Sequence, residues 1–192
     1  MKKAQQEFKA ILDIPEQEFK SHLESKKQEI VNFHLKNNPF YQSLMGNTPF
    51  NDWNLLPVLT KKDLQKPLVD RLSSGYSTKN VFVNKTSGSS GDPFVFAKDK
   101  PAHALTWASI IYRFGWYGIN FNSSYQARFY GIPLDFMGYQ KERIKDFLGQ
   151  RYRFPIFNLS DEFLETVLIH FRKKKFEYIN GYTSSIVLFA KF

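Results

Sequence analysis

Cysteine is absent from the 192 residues, which excludes a disulfide framework, a thiolate metal site and a cysteine nucleophile, and with them thiol redox chemistry. Long apolar runs are missing too. The longest fall far short of the ~20 residues that a bilayer span needs, and the opening stretch MKKAQQEFKAILDIPEQEF lacks the apolar heart of a signal peptide. No membrane span is therefore expected, and the chain reads as cytoplasmic. Acidic side chains are in deficit, 18 against 27 Lys and Arg, for a formal charge of +9. That surplus implies an anionic partner, whether nucleotide, phosphorylated substrate, nucleic acid or lipid headgroup, without choosing among them. His22, His34, His103 and His170 show no metal-ligand spacing such as H-x-x-x-H, so no metal site is assigned. No internal repeat is visible.

What is present is apolar bulk: 42% hydrophobic residues, with 20 Phe and 10 Tyr, too much for a solvated, disordered chain. The length suits one domain, or one domain with a small appendage. From Glu16 to Lys36 the positions Phe19, Leu23, Ile30 and Phe33, with the Lys26 stem between, recur at spacings of four and three, as one helical face requires. Pro39 and two asparagines in NNPFY stop that helix. A proline-punctuated extended stretch follows, in which Thr60 caps a short helix through Asp63. Residues 1–80 thus read as a helical lead-in.

From residue 81 the rhythm changes to alternating strands and helices, which predicts an α/β sheet over 81–192. Val81 to Val83 and Phe94 to Ala97 read as short strands, and Asp99 followed by Pro101 as the start of a helix running to about Tyr112. Tyr125, Ala127 and Phe129 alternate with Gln126 and Arg128 in a half-buried strand. The Gly, Pro and aromatic-rich region after it is hard to order, with a short helix in YQKERIKDFLG. Ser160 caps a strong helix with Asp161 and Glu162 in its first turn and Phe163, Leu164, Val167, Leu168 and Phe171 on one face. The run RKKK at 172–175 complements the dipole at its end. FEYIN reads as a strand, Gly181 as a turn, and Thr183 or Ser184 as the start of a last helix. That helix has no C-cap and ends on apolar LFAKF, so the chain is expected to be cut short.

The segment VFVNKTSGSSGDPFVFAKDK, residues 81–100, carries the chemistry. It fits neither the Walker spacing nor the dinucleotide fingerprint, since Gly88 and Gly91 lie three apart, no lysine follows Gly91, and a strand comes next. Two readings remain. One is a nest, in which glycines let backbone N–H groups converge and the hydroxyls of Thr86, Ser87, Ser89 and Ser90 add donors around a polyphosphate. The other is a solvated hairpin loop or linker.

TSGSSGDP at 86–93 resembles the signature loop of adenylate-forming enzymes, [ST]-S-G-[ST]-[ST]-G-x-P. NNPFYQ, LLPVLTKKDL and INGYTSSIVLFA, in that order, are similar to segments of the phenylacetate-CoA ligase branch, especially its CapK relatives in capsular polysaccharide biosynthesis. The resemblance spans about residue 30 to the end. It implies an incomplete N-terminal domain of the adenylate-forming fold, with Thr86, Ser87, Gly88, Ser89, Ser90 and Gly91 cradling the β- and γ-phosphates of ATP. It also implies Mg2+, a small-molecule carboxylate as substrate, and coenzyme A or an amine as acceptor. The sequence departs from the family pattern at Phe94, where many members carry lysine; the nearest downstream lysine is Lys98. The motifs Tyr-Gly-x-Thr-Glu and Thr-Gly-Asp and the C-terminal domain with its adenylation lysine have no counterpart. The resemblance therefore implies the front part of a ligase, inactive alone, with its C-terminal half or a second copy as partner.

The alternatives to that reading are a non-catalytic module that binds a phosphorylated ligand or serves assembly, and a nucleic-acid binder. The second has charge and aromatics in its favour and no recognised motif. FGWYG at 114–118 reads as packing rather than an acyl pocket, and Asp161 and Glu162 as dipole complements. No general acid or base is assigned.

Overall fold

The computed structural model describes residues 1–46, 50, 53–86, 91, 93–131, 136–157 and 159–192. They form two units, Met1–Ser109 and Ile110–Phe192. The β-rich loop segment, grouped by the sequence rhythm with residues 81–192, thus lies in the first unit.

In that unit α1 (Lys2–Leu12) and α2 (Glu16–Asn37) are separated at Pro15, whose extended ψ of 144° ends one helix before the next begins. Glu16 and Glu18 in the first turn of α2, with His34 and Lys36 in its last, match the helix dipole. Asn38 then leaves the helical region at φ −123°, as a residue before proline must. The break is also a beginning, which the sequence reading missed. Pro39 takes the first position of α3 (Pro39–Met45), and the Asn38 carboxamide oxygen accepts the Tyr41 N–H at 2.9 Å. The Asn38 Nδ2 donates to the Arg71 carbonyl at 3.0 Å and to the Ser73 hydroxyl at 3.1 Å. This buried amide therefore ties the α2–α3 corner to α4 (Leu68–Arg71) and the residues after it.

The apolar face predicted for α2 is not the buried one. Phe19, Leu23, Ile30 and Phe33 are between 39 and 49% exposed, whereas Val31 is 3% exposed. Periodicity locates a stripe, but the helix is turned by its partners, and α3 meets it on the Val31 side. Thr60 meets Asp63, its N–H and hydroxyl both donating to the Asp63 carboxylate at 2.8 and 2.6 Å, but the 3-10 turn that follows is preceded by Lys62 without a side-chain cap, so Thr60 braces the turn rather than capping it.

The strands β1 (Phe82–Lys85) and β2 (Val95–Lys98) form an antiparallel hairpin, from Phe82 opposite Lys98 to Lys85 opposite Val95. Asp99 follows, and its carboxylate accepts the Ala102 N–H at 2.8 Å, capping α5 (Lys100–Gly115) as predicted, with the helix extending past Tyr112.

The second unit is a β-α-β-α-β run: β3 (Gln126–Phe129), α6 (Phe136–Leu148), β4 (Arg151–Phe154), α7 (Asp161–Lys173) and β5 (Tyr178–Gly181), closed by α8 (Thr183–Lys191). Its three strands are parallel in the order β4-β3-β5. β3 is central, so the expected half-buried alternation is replaced by burial of Gln126 as well as Ala127 and Phe129. On the face that carries Ala127 and Phe129, these two with Phe154 from β4 and Val167 from α7 form the core, joined by Phe171, Ile186 and Phe189 from α7 and α8. Ser160 accepts the Phe163 N–H at 3.4 Å, starting α7 where its sequence demands. Gly181 ends β5 against Phe129, where an added Cβ would lie 2.9 Å from the Phe129 Cα and closer still to its carbonyl oxygen.

Two expectations fail in this unit. β4, RYRF, was not foreseen, because alternating arginines disguise a strand. The packing reading of FGWYG fails for Trp116 and Tyr117, which are 64 and 79% exposed. Phe114 packs on Phe121 and Tyr178, while exposed Trp116 meets the Tyr112 ring edge-on. The chain is thus mixed α/β, mainly helical, with two small sheets. Among the described residues no helix is long and apolar enough to cross a membrane.

Candidate functional site

Thr86 and Phe94 close the neck of the β1–β2 hairpin. The Thr86 N–H donates to the Phe94 carbonyl at 2.9 Å, and the Phe94 N–H donates to the Thr86 hydroxyl oxygen, also at 2.9 Å. The Thr86 side chain takes the place of a backbone acceptor, and its O–H hydrogen remains available to a ligand. The strands on either side of 87–93 thus pair with each other as an antiparallel hairpin. Ser87, Gly88, Ser89 and Ser90, four of the six predicted phosphate ligands, and Asp92 beside them lie outside the described residues. Thr86 is exposed, and Gly91 has φ +110°, a backbone state that side-chain-bearing residues avoid.

The hairpin is seated by Arg71. Its Nη2 donates to the Val95 carbonyl at 2.6 Å and its Nε to the Lys66 carbonyl at 2.8 Å, while its guanidinium lies over the Phe94 ring. Phe94 in turn stacks on Phe96. Phe94 is thus a packing residue at the neck of the hairpin. Lys98 sits at the far end of β2, roughly 13 Å from Phe94 at the usual strand rise, and its Nζ donates to the Thr106 hydroxyl at 3.2 Å. It does not serve the loop. Lys85, exposed and adjacent to Thr86, is the cation nearest in sequence.

Lys98 instead helps line a cleft of about 600 Å³ between α2, the segment around Ser73, β2 and the first turn of α5. Ile30, Phe33, Leu72 and Phe96 make it apolar, and His34, Asn38 and Asp99 supply polar groups. The His34 ring packs against Phe33 and Tyr41, and its Nδ1 is buried without a partner. Burial lowers its pKa, favouring the neutral imidazole. Apolar walls with a few convergent polar groups are the general form of a small-molecule site. No sequence signal pointed here, because the lining residues come from four separate segments.

A phosphate fits the described part of the loop, which offers a hydroxyl donor and a glycine turn. Thr86, Gly91, Pro93 and Phe94 include no carboxylate, so none of them is assigned to Mg2+. Among the described residues no three His, Asp or Glu side chains come together in a way that could hold a metal ion. No protein-family model, curated protein or solved structure matches this chain.

Proposed function

We propose that these residues are the phosphate-binding N-terminal portion of an adenylate-forming ligase of the phenylacetate-CoA ligase branch, CapK-like, with TSGSSGDP as its ATP-phosphate loop. The observation that supports this reading is the pair of hydrogen bonds between Thr86 and Phe94, which closes the neck of an antiparallel hairpin at the two ends of the motif. In the proposed reaction a carboxylate oxygen attacks the α-phosphorus of ATP. The bond from that phosphorus to the bridging oxygen breaks, pyrophosphate leaves, and a thiol or amine then displaces AMP from the acyl carbon. The hairpin loop would hold the β- and γ-phosphates, so its amide and hydroxyl donors would meet the charge that grows on the leaving pyrophosphate. The residues that seat adenine, ribose and magnesium in such enzymes have no counterpart in this sequence. Phosphate binding, and not the complete reaction, is the activity proposed for these 192 residues.

The test is titration of the chain with Mg-ATP and with pyrophosphate, beside Gly88→Val and Gly91→Val. Both variants are expected to lose binding; at Gly91 an added Cβ meets nothing within 4 Å, so any fall in melting temperature there reflects strain at φ +110° rather than a clash. Equal affinity in parent and variants would reject the loop as the site. A non-catalytic phosphate-binding module is the second reading, favoured by Phe94 in the lysine position and by the hold of Thr106 on Lys98. Failure to form acyl-AMP when supplied with a C-terminal half from a family member would select it.

A further inference from the structure

The polar face of the parallel sheet, opposite the Ala127 and Phe129 side, gathers a cluster of positive charge. In register across the strands lie Arg151, Gln126 and Tyr178, and next to them Arg153, Arg128 and Asn180. Arg128 and Arg153 therefore stand directly opposite each other, a like-charge pairing that destabilises a sheet unless something answers it. On the β4 side the answer comes from α6. Asp146 accepts from Arg151 Nε at 2.7 Å and from Arg153 Nη2 at 3.0 Å, and Glu142 accepts from Arg153 Nη2 at 2.8 Å and from Lys145 at 2.6 Å. Arg143, from the same helix, donates to the Tyr139 hydroxyl and the Arg153 carbonyl and is in no ion pair among the described residues. Two carboxylates are thus shared by Arg151, Arg153 and Lys145, with Arg143 adding charge beside them.

Arg128 has no such answer among the described residues. It is half-buried, its Nε is buried without an acceptor, and no ion pair among the described residues includes it, Asp146 acting on it only as a nearby charge. Its guanidinium carbon lies 4.6 Å from the Tyr130 ring. Burial, and then the charges of Arg151 and Arg153, lower its pKa from the ordinary guanidinium value. Leaving such a fork of donors half-desolvated costs stability that a bound anion would return.

The position is also where open α/β sheets take ligands. The chain leaves β3 toward α6, which packs on this face through Arg143 and Glu142. It leaves β5 toward α8, whose Ile186 and Phe189 pack on the opposite, apolar face. The connections diverge at the carboxyl ends of β3 and β5, which makes this the topological switch point of the sheet. Tyr130 and Tyr182 flank it with rings 5.3 Å apart, and the Tyr130 hydroxyl donates to the Asn180 Oδ1 at 3.2 Å, leaving the Asn180 amide hydrogens for a further acceptor.

We infer that Arg128, with Asn180 beside it, forms a binding site for a phosphoryl group on the polar face of this sheet, separate from the hairpin loop. A dianion suits the surplus of cations, and the guanidinium fork matches its oxygens in pairs. The ligand is free phosphate or a phosphate monoester.

The full chain, titrated with inorganic phosphate and with methyl phosphate at constant ionic strength, tests it, because screening alone then stays fixed. Melting temperature should rise with either probe in the parent. In Arg128→Gln the affinity should fall roughly tenfold or more, the loss of one charge-assisted contact. In phosphate-free buffer Arg128→Gln should melt at or above the parent, because it removes an uncompensated charge; a purely structural arginine would lower it. Tighter binding of methyl phosphate assigns an esterified ligand, and tighter binding of phosphate assigns the free ion. An unchanged phosphate response in Arg128→Gln, or a response lost in Gly91→Val and kept in Arg128→Gln, overturns the site.

Discussion

Thr86 and Phe94 bond to each other twice across the neck of the hairpin, and one of the two bonds uses the threonine side chain. Replacing Thr86 by valine keeps the branched shape and removes the acceptor. We expect Thr86→Val to lose about 1 kcal/mol, the net worth of one hydrogen bond, and to speed hydrogen exchange at the Phe94 amide. Thr86→Ser should keep both values near the parent. An unchanged Phe94 exchange rate in the valine variant would show that the hydroxyl does not latch the loop.

Gly181 has no room for a side chain. Ala at this position would drive its Cβ into the Phe129 backbone at the centre of the core, so Gly181→Ala should destabilise by about 3 kcal/mol or more, the upper range for overpacking. Gly115→Ala is the control. It lies in the last turn of α5 with nothing within 4 Å of the added Cβ, and should be neutral or stabilising by about 0.5–1 kcal/mol. Urea midpoints of the pair check both.

Asn38 serves the Tyr41 amide, the Arg71 carbonyl and the Ser73 hydroxyl while buried. Asn38→Ala removes a helix cap and strands buried groups on the 71–73 segment, a loss of about 2 kcal/mol. Chemical denaturation should report it, with exchange at the Tyr41 amide rising most.

Glu177 accepts from the Ser124 hydroxyl at 2.7 Å and from the Tyr125 N–H at 2.9 Å, and these bonds hold its carboxyl below the usual glutamate range, the hydroxyl contributing most. A depressed folded value means a stability contribution present at neutral pH. It begins to be lost as pH falls through the ordinary value of about 4.3 and is gone below the folded value. Glu177→Gln should melt lower than the parent at pH 7 and lose less on acidification. Parallel curves for the two proteins from pH 7 to acid would sink this assignment.

Legibility in the sequence followed local chemistry. Ser160 with its acidic first turn, Asp99 before Pro101, Thr60 with Asp63, and the two runs flanking the glycine loop each state their structure within a few residues. β4 does not. Arg151 and Arg153 can line the inner side of a strand only because Asp146 and Glu142 arrive from a separate helix. Pro39 reads locally as a stop, yet the Asn38 cap makes it the first residue of α3. In the candidate site, the motif and its neck were visible in the chain, but the role of Phe94 and the diversion of Lys98 to Thr106 depend on Arg71 and α5.

By itself the amino-acid order settled where α5 and α7 begin, that the chain is mixed α/β, and that one glycine- and hydroxyl-rich stretch lies between two strands. Those features rest on caps, proline geometry and side-chain period, all short-range. Only the tertiary structure decided which side of α2 is buried and that β3 lies at the centre of its sheet. It also decided that Arg128 faces two other arginines without an acid of its own. Burial and charge balance are set by what lies across the fold, and no local pattern records the partner.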